Sequence, residues 1–186
     1  MGEGRLARLE IAEARIAAAE LGLPEVLADL SVFQIALKNP SVARALSGML
    51  HNLLWKGQLD GRLRELVIMR IGWTTGAVYE WTQHWRVATG MNIEEDDLLG
   101  VRDWPRHKPF GPLERAVLAA TDDWLEDGVI SAGSWDLCRE QLVDDALLIE
   151  LVAVIGNWTL FSSLLRSLQV PLEDGVVAWP PDGRAP

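Results

Sequence analysis

Two carboxylates and an imidazole stand at helical spacing in the middle of this chain. Glu80 and His84 are four residues apart, which on an α-helix puts them on one face and within reach of each other. A carboxylate beside an imidazole raises the imidazole pKa and orients the ring, which suits general acid/base work near neutral pH. Ala77 and Val87 continue that stripe, while Trp81, Trp85 and Ala88 form an apolar one next to it. The two indoles either wall a pocket or belong to the core. Upstream, Glu65 lies in Leu63–Ile71, a stretch that is apolar nearly all round and is therefore expected to be buried. A buried carboxylate finds a partner or shifts its pKa until it is neutral. Glu65 is thus a proton carrier, or half of a structural ion pair with Arg62 or Arg64, or a salt bridge across a subunit interface.

Much other chemistry is absent from the sequence. The single cysteine, Cys138, leaves no intramolecular disulfide, no CxxC redox pair and no cysteine-based zinc site. No Gly-rich phosphate loop, GxSxG elbow or HExxH motif occurs. The three histidines, His51, His84 and His107, lack zinc-ligand spacing, and nothing calls for a metal. His107 sits in a Pro-rich loop between Arg106 and Lys108 and reads as solvated; His51 reads as exposed or at an interface. A net charge of −10 offers no basic footprint for nucleic acid.

At 186 residues, 49% hydrophobic and 24% charged, the chain fits one ordinary domain with a sizeable core. Acids spread through Met1–Gly22 interrupt any signal-peptide apolar run. The most membrane-like stretch, Ala146–Leu165, contains Glu150 and Asn157 and reads as a buried core helix rather than a membrane span. With one cysteine, a reducing, cytoplasmic location is expected.

The elements that must position Glu65, Glu80 and His84 follow from helical periodicity, since nothing alternates with a period of two. A helix is predicted from Leu6 to about Gly22, and another from Pro40 to Trp55. Gly57 and Asp60-Gly61 punctuate before a helix over Arg62–Ile71. A short break at Gly72–Gly76 precedes a helix reaching Ala88. A small helix over Glu94–Leu99, a loop over Trp104–Pro112 and a helix over Leu113–Leu125 come next. A turn at Gly128–Gly133 leads to a short helix capped by Ser134 or Asp136, and Asp144–Leu168 is the last long helix. The reading is an all-α, single-domain helical bundle over 1–186. Its core spans about 33–168, with a helical N-terminal extension over 1–30 and a C-terminal tail over 170–186.

The run Leu63-Arg-Glu-Leu-Val-Ile-Met-Arg70, then Tyr79-Glu-Trp-Thr-Gln-His84 and Ala88-Thr-Gly90, resembles the signature of the carboxymuconolactone decarboxylase superfamily. The likeness extends from about Phe33 to Leu165. It implies the alkyl hydroperoxidase D-type helical fold, a cofactor-free enzyme and a homo-oligomer, trimer or hexamer. In the peroxidase branch the pattern is a glutamate followed by Cys-x-x-Cys-x-x-x-His. Here the glutamate and histidine fall on Glu65 and His84, and the cysteine positions on Ala77 and Glu80. Without thiolates there is no disulfide exchange, so thiol peroxidase activity is not implied. The decarboxylase branch implies a lyase or isomerase acting by acid/base chemistry on a small carboxylated lactone or enolisable acid. In that reading His84 is the acid, Glu80 orients it, and Glu65 is a second proton carrier. Tyr79, Trp81, Arg70 and Arg86 are the substrate-binding candidates. Alternatives on the same scaffold are another acid/base enzyme of a specialised biosynthetic pathway, or a binding or assembly protein.

Overall fold

The helical periodicity is realised in nine α-helices, with no strand among the described residues, in a computed structural model that describes residues 4–186. They are α1 (Ile11–Glu20), α2 (Ser31–Ala36), α3 (Pro40–Trp55), α4 (Gly61–Thr75), α5 (Val78–Gly90), α6 (Glu95–Gly100), α7 (Pro112–Asp127), α8 (Ala132–Gln141) and α9 (Asp145–Leu168). Where the sequence reads as one domain, the chain divides into two compact units. One holds the residues up to Lys56 together with Leu164–Val176, the other Gly57–Ser163 with Val177–Pro186. The first boundary falls at the Gly57 punctuation. The second lies inside α9, whose unbroken helical composition hides it.

In the first unit, α1 starts later than its periodicity suggests, at Ile11 rather than Leu6. Ala14, Ala18, Ala28, Leu37 and Ala43 form its small-residue core. The returning chain is tied in by Ser31, whose N–H donates to Glu173 at 2.8 Å, and by the Arg5 N–H, which donates to the Leu168 carbonyl at 3.0 Å.

The second unit is organised around α4. Asp60 caps its start by accepting the Leu63 N–H at 3.1 Å, and Gly76, in the left-handed region at φ 68°, ends it. A side chain would strain there, whereas glycine does not. The predicted break at Gly72 does not occur. Gly72 is instead a contact, because a Cβ placed there would lie 3.1 Å from the Trp81 backbone nitrogen. Its missing side chain lets α4 and α5 approach closely and so fixes where α5 carries its functional groups. Around α4, Leu63, Leu66, Val67, Ile68, Met69 and Ile71 are all buried. Its apolar circumference is covered within its own chain.

Arginines fasten α4 to its surroundings. Arg62 pairs with Asp97 and Glu114, both at 2.7 Å. Arg70 grips both oxygens of Asp122, at 2.6 and 2.9 Å, and donates to the Val101 carbonyl at 2.9 Å. On α8 the cap is Ser131, not Ser134 or Asp136, accepting the Ser134 N–H at 3.2 Å. His107 is packed rather than solvated: its ring lies edge-on to Phe110 with centroids 4.4 Å apart.

The C-terminal segment is a strap, not a loose tail. Asp182 takes both Arg102 nitrogens, at 2.7 and 3.0 Å, while the guanidinium lies over the Trp73 and Trp81 rings at 4.5 and 4.8 Å. The Pro180 carbonyl accepts the Trp81 indole N–H at 2.8 Å, and Thr82 Oγ1 accepts the Trp179 N–H at 3.3 Å. These contacts seat one side of α5. By length and composition α9 is apolar enough to cross a membrane, yet Leu148, Leu151, Val154, Ile155, Trp158, Phe161 and Leu165 are buried along it. That is the behaviour of a core helix.

Gly72→Ala tests the α4–α5 approach. Helix propensity alone favours alanine by about 1 kcal/mol, but overpacking against helix backbone costs about 1–3 kcal/mol. The expected outcome is a lower thermal midpoint; an unchanged or higher one shows that the contact has room to relax.

Candidate active site

Glu65 is carried by the middle of α4, and Glu80 and His84 by successive turns of α5. Glu65 is wholly buried, Glu80 3% exposed and the His84 side chain 12% exposed. The structure brings all three together. Glu65 Oε2 lies 2.7 Å from His84 Nδ1, and Glu65 Oε1 accepts Arg64 Nε–H at 3.2 Å. Of the readings of Glu65, the ion pair with Arg64 is present, and the same carboxylate also meets the imidazole. Arg62 is committed elsewhere, to Asp97 and Glu114.

The other ring nitrogen has two neighbours. Trp158, from α9, donates its indole N–H to His84 Nε2 at 2.9 Å, and Glu80 Oε1 lies 3.6 Å from the same atom. An indole nitrogen donates only, so with the ring neutral this contact makes Nε2 the acceptor and puts the ring proton on Nδ1, facing Glu65. The contacts differ from those the sequence suggested. Glu65, not Glu80, orients the imidazole, and Glu80 faces the opposite edge. Glu80 Oε2 is buried and has no hydrogen-bond partner among the described residues.

Electrostatics follow this geometry. Burial pushes the Glu80 carboxyl up to about 7; the Glu65 charge adds to the rise and His84 opposes it. Burial by itself lowers the His84 pKa, but the charge and hydrogen bond of Glu65, with Glu80, outweigh it and the Arg64 charge, so the net shift is upward. The cluster therefore contains a carboxyl that gains or loses its proton near neutrality, beside an imidazole held in a fixed tautomer. General acid/base chemistry can use either feature.

The substrate-binding candidates are distributed differently. Trp81 is fully buried, its N–H spent on Pro180, and its ring lies against Trp73, Trp85 and Trp179. Tyr79 is also buried, and Arg86 is exposed. Arg70 is corrected from substrate binder to fastener: Nε, Nη1 and Nη2 are all engaged by Asp122 and backbone carbonyls. Cys138 is buried, donates to the Ala116 carbonyl at 3.3 Å, and has its thiol pushed up to about 11 by burial. Among the described residues no group of three or more His, Cys, Asp or Glu side chains is arranged to hold a metal ion.

Trp158 is the site residue that sequence reasoning missed. A tryptophan in an apolar helix reads as core, and its partner is 74 residues away, so local spacing holds no trace of the contact.

The raised Glu80 pKa has a stability consequence with a definite sign. Between the unfolded value near 4.5 and the folded value near 7, the native state binds more protons than the unfolded one. Stability therefore falls as pH rises through that window and is level above it. Removing the ionisable group removes this loss. Relative to wild type, Glu80→Gln is expected to gain about 2–4 kcal/mol between pH 4.5 and pH 8. Urea denaturation at both pH values checks this, and a difference that stays constant with pH contradicts it.

Residues 40–123 match the carboxymuconolactone decarboxylase family. No curated protein matches the chain in sequence. Among solved structures, an uncharacterized peroxidase-related protein of Ralstonia eutropha, described as an alkylhydroperoxidase AhpD core, is 16% identical with a TM-score of 0.75, over 94% of each chain. A putative antioxidant defence protein, AhpD, of Agrobacterium tumefaciens is 16% identical with a TM-score of 0.68, over 74% of this chain and 94% of its own. The debrominase Bmp8, as a variant in complex with 2,3,4-tribromopyrrole, is 16% identical with a TM-score of 0.72, over 90% of each chain. At such identities the likeness is one of fold. The fold is that of these AhpD-like structures, and the segment 40–123 that matches the carboxymuconolactone decarboxylase family holds Glu65, Glu80 and His84, with Ala77 and Glu80 where the peroxidase pattern has its cysteines.

Proposed function

We propose that this protein is a cofactor-independent acid/base enzyme, a lyase or isomerase acting on a small carboxylated lactone or enolisable acid. The observation that carries the reading is the buried Glu80 carboxyl, with a pKa near 7 and an unpartnered Oε2, beside an imidazole oriented by Glu65. Loss of carbon dioxide, or of an α-proton, from such a substrate leaves a dienolate-like anion that must be protonated on carbon. Near neutrality Glu80 is divided between its acid and carboxylate forms, so it can give or take that proton. His84 lies 3.6 Å from Glu80 and sets its charge: a proton on the imidazole favours the carboxylate. Glu65 holds the ring.

Fold likeness to a debrominase bound to a small brominated ring is compatible with a compact cyclic substrate. Dithiol chemistry is not part of the proposal, because Ala77 and Glu80 bring no sulfur and Cys138 is buried away from any partner thiol. A homo-oligomer, trimer or hexamer, follows from the family resemblance; a single light-scattering mass at 20.6 kDa contradicts it.

Small carboxylated lactones and enolisable acids, followed for carbon dioxide release and for deuterium uptake from D₂O, test the reading. His84→Ala and Glu80→Gln are each expected to lose about 10²–10⁴-fold in rate, the usual worth of a positioned acid or base. Glu65→Gln is expected to lose less, since it keeps a polar partner for Nδ1. If His84→Ala turns over like wild type with a native thermal midpoint, the mechanism is wrong. Separately, no dithiol-driven peroxide reduction is expected; turnover abolished by Cys138→Ser contradicts that.

A further inference from the structure

We propose that Trp158 is a positioning residue that gates proton uptake at His84, by holding Nε2 as a bare acceptor in competition with Glu80. The imidazole Nε2 offers one lone pair in the ring plane. The Trp158 N–H occupies it at 2.9 Å, and the two rings meet edge-on, with centroids 5.6 Å apart and planes at 82°. A proton on Nε2 would set two N–H groups against each other. The indole must then withdraw, and the new N–H turns to Glu80 Oε1, 3.6 Å away. The site therefore has two arrangements. In one, Nε2 accepts from Trp158 and the imidazole is neutral. In the other, Nε2 donates to a Glu80 carboxylate.

Charged groups from both packed helices act on the ring. Glu65 on α4 and Glu80 on α5 favour the imidazolium, and Arg64 on α4 opposes it. Trp158 adds an opposing contribution that carries no charge and disappears with the indole N–H. Trp158 is fully buried, which holds the donor where water cannot replace it. The catalytic consequence, that Trp158 keeps His84 from retaining a proton between turnovers, rests on the function proposed above. The tautomer and the proton affinity do not.

The test is nitrogen NMR of the full chain labelled at histidine, from pH 5 to 9, with His84→Gln identifying the His84 signals. Wild type is expected to show neutral His84 protonated at Nδ1 and bare at Nε2. Trp158→Phe, which keeps an aromatic ring but loses the donor, is expected to raise the His84 proton affinity about threefold to tenfold, the worth of one buried hydrogen bond. Replacing Trp158 by benzothienylalanine exchanges the N–H for sulfur at nearly constant shape, and should give the same rise where the phenylalanine variant folds poorly. A wild-type Nε2–H tautomer overturns the inference. So does an unchanged proton affinity in the folded variant. If these signals behave as expected while His84→Ala keeps full turnover, the proposed function falls and the gate stands. If His84→Ala is inactive but the affinity does not move, the gate falls alone.

Discussion

The 2.7 Å hydrogen bond between Glu65 and His84 is the constraint on which the site depends. It joins a fully buried carboxylate on α4 to an imidazole on α5 and gives each a polar partner. An unpaired carboxylate in such a place is costly by several kcal/mol. The bond answers that cost, with Arg64 sharing the charge on the other oxygen. Once the ring is fixed, its far nitrogen has one direction, and Trp158 and Glu80 are arranged along it. The packing of the second unit serves this geometry. Gly72 admits α5 to α4, and the Arg70–Asp122 and Arg62–Glu114 pairs fasten α4 to α7. The C-terminal strap seats Trp81 and Thr82, one turn or less from Glu80 and His84.

Periodicity made most of the fold legible. The bounds of α3 agree with the sequence reading at both ends, because Pro40 opens that helix and polar Lys56-Gly57 closes it. Errors cluster where one residue type has two physical uses. Gly72 looks like a helix breaker and is a contact surface; the true stop is Gly76, which alone of the two has a positive φ. Ser134 and Asp136 look like caps, and the backbone instead places Ser131 as the acceptor. The segment after Val170 has the composition of a tail. Its order comes from Arg102, which lies 80 residues before Asp182 and cannot be paired with it by local spacing.

At the site, spacing put Glu80 beside His84 and the resemblance grouped Glu65 with them, but neither gave the edge of the imidazole each would face. The i to i+4 relation of Glu80 and His84 makes Glu80 look like the orienting carboxylate. A same-helix neighbour is close by construction, but the 2.7 Å contact comes from another helix. Long-range contacts carried the information that local spacing lacked. The same holds for Trp158, which spacing could describe only as one more apolar residue of α9.

The substitution pattern at Ala77 and Glu80 has a physical logic. In the peroxidase pattern the second cysteine stands four residues before the histidine. Here that place is filled by a carboxyl, whose ordinary pKa is too low to hold a proton at neutral pH. Burial and the Glu65 charge lift it to about 7, so the position again holds a group that exchanges a proton with its surroundings near neutrality. What is lost is the sulfur, and with it any route to a disulfide. The site thus keeps Glu65, His84 and a titratable group at position 80, without sulfur. A carboxyl tuned by burial is sensitive to anything that wets it, so the tight α4–α5 approach and the strap over Trp81 bear on chemistry as well as on stability. Opening either would let water reach Glu80, return its pKa toward the ordinary carboxylate range, and leave it charged and unable to donate.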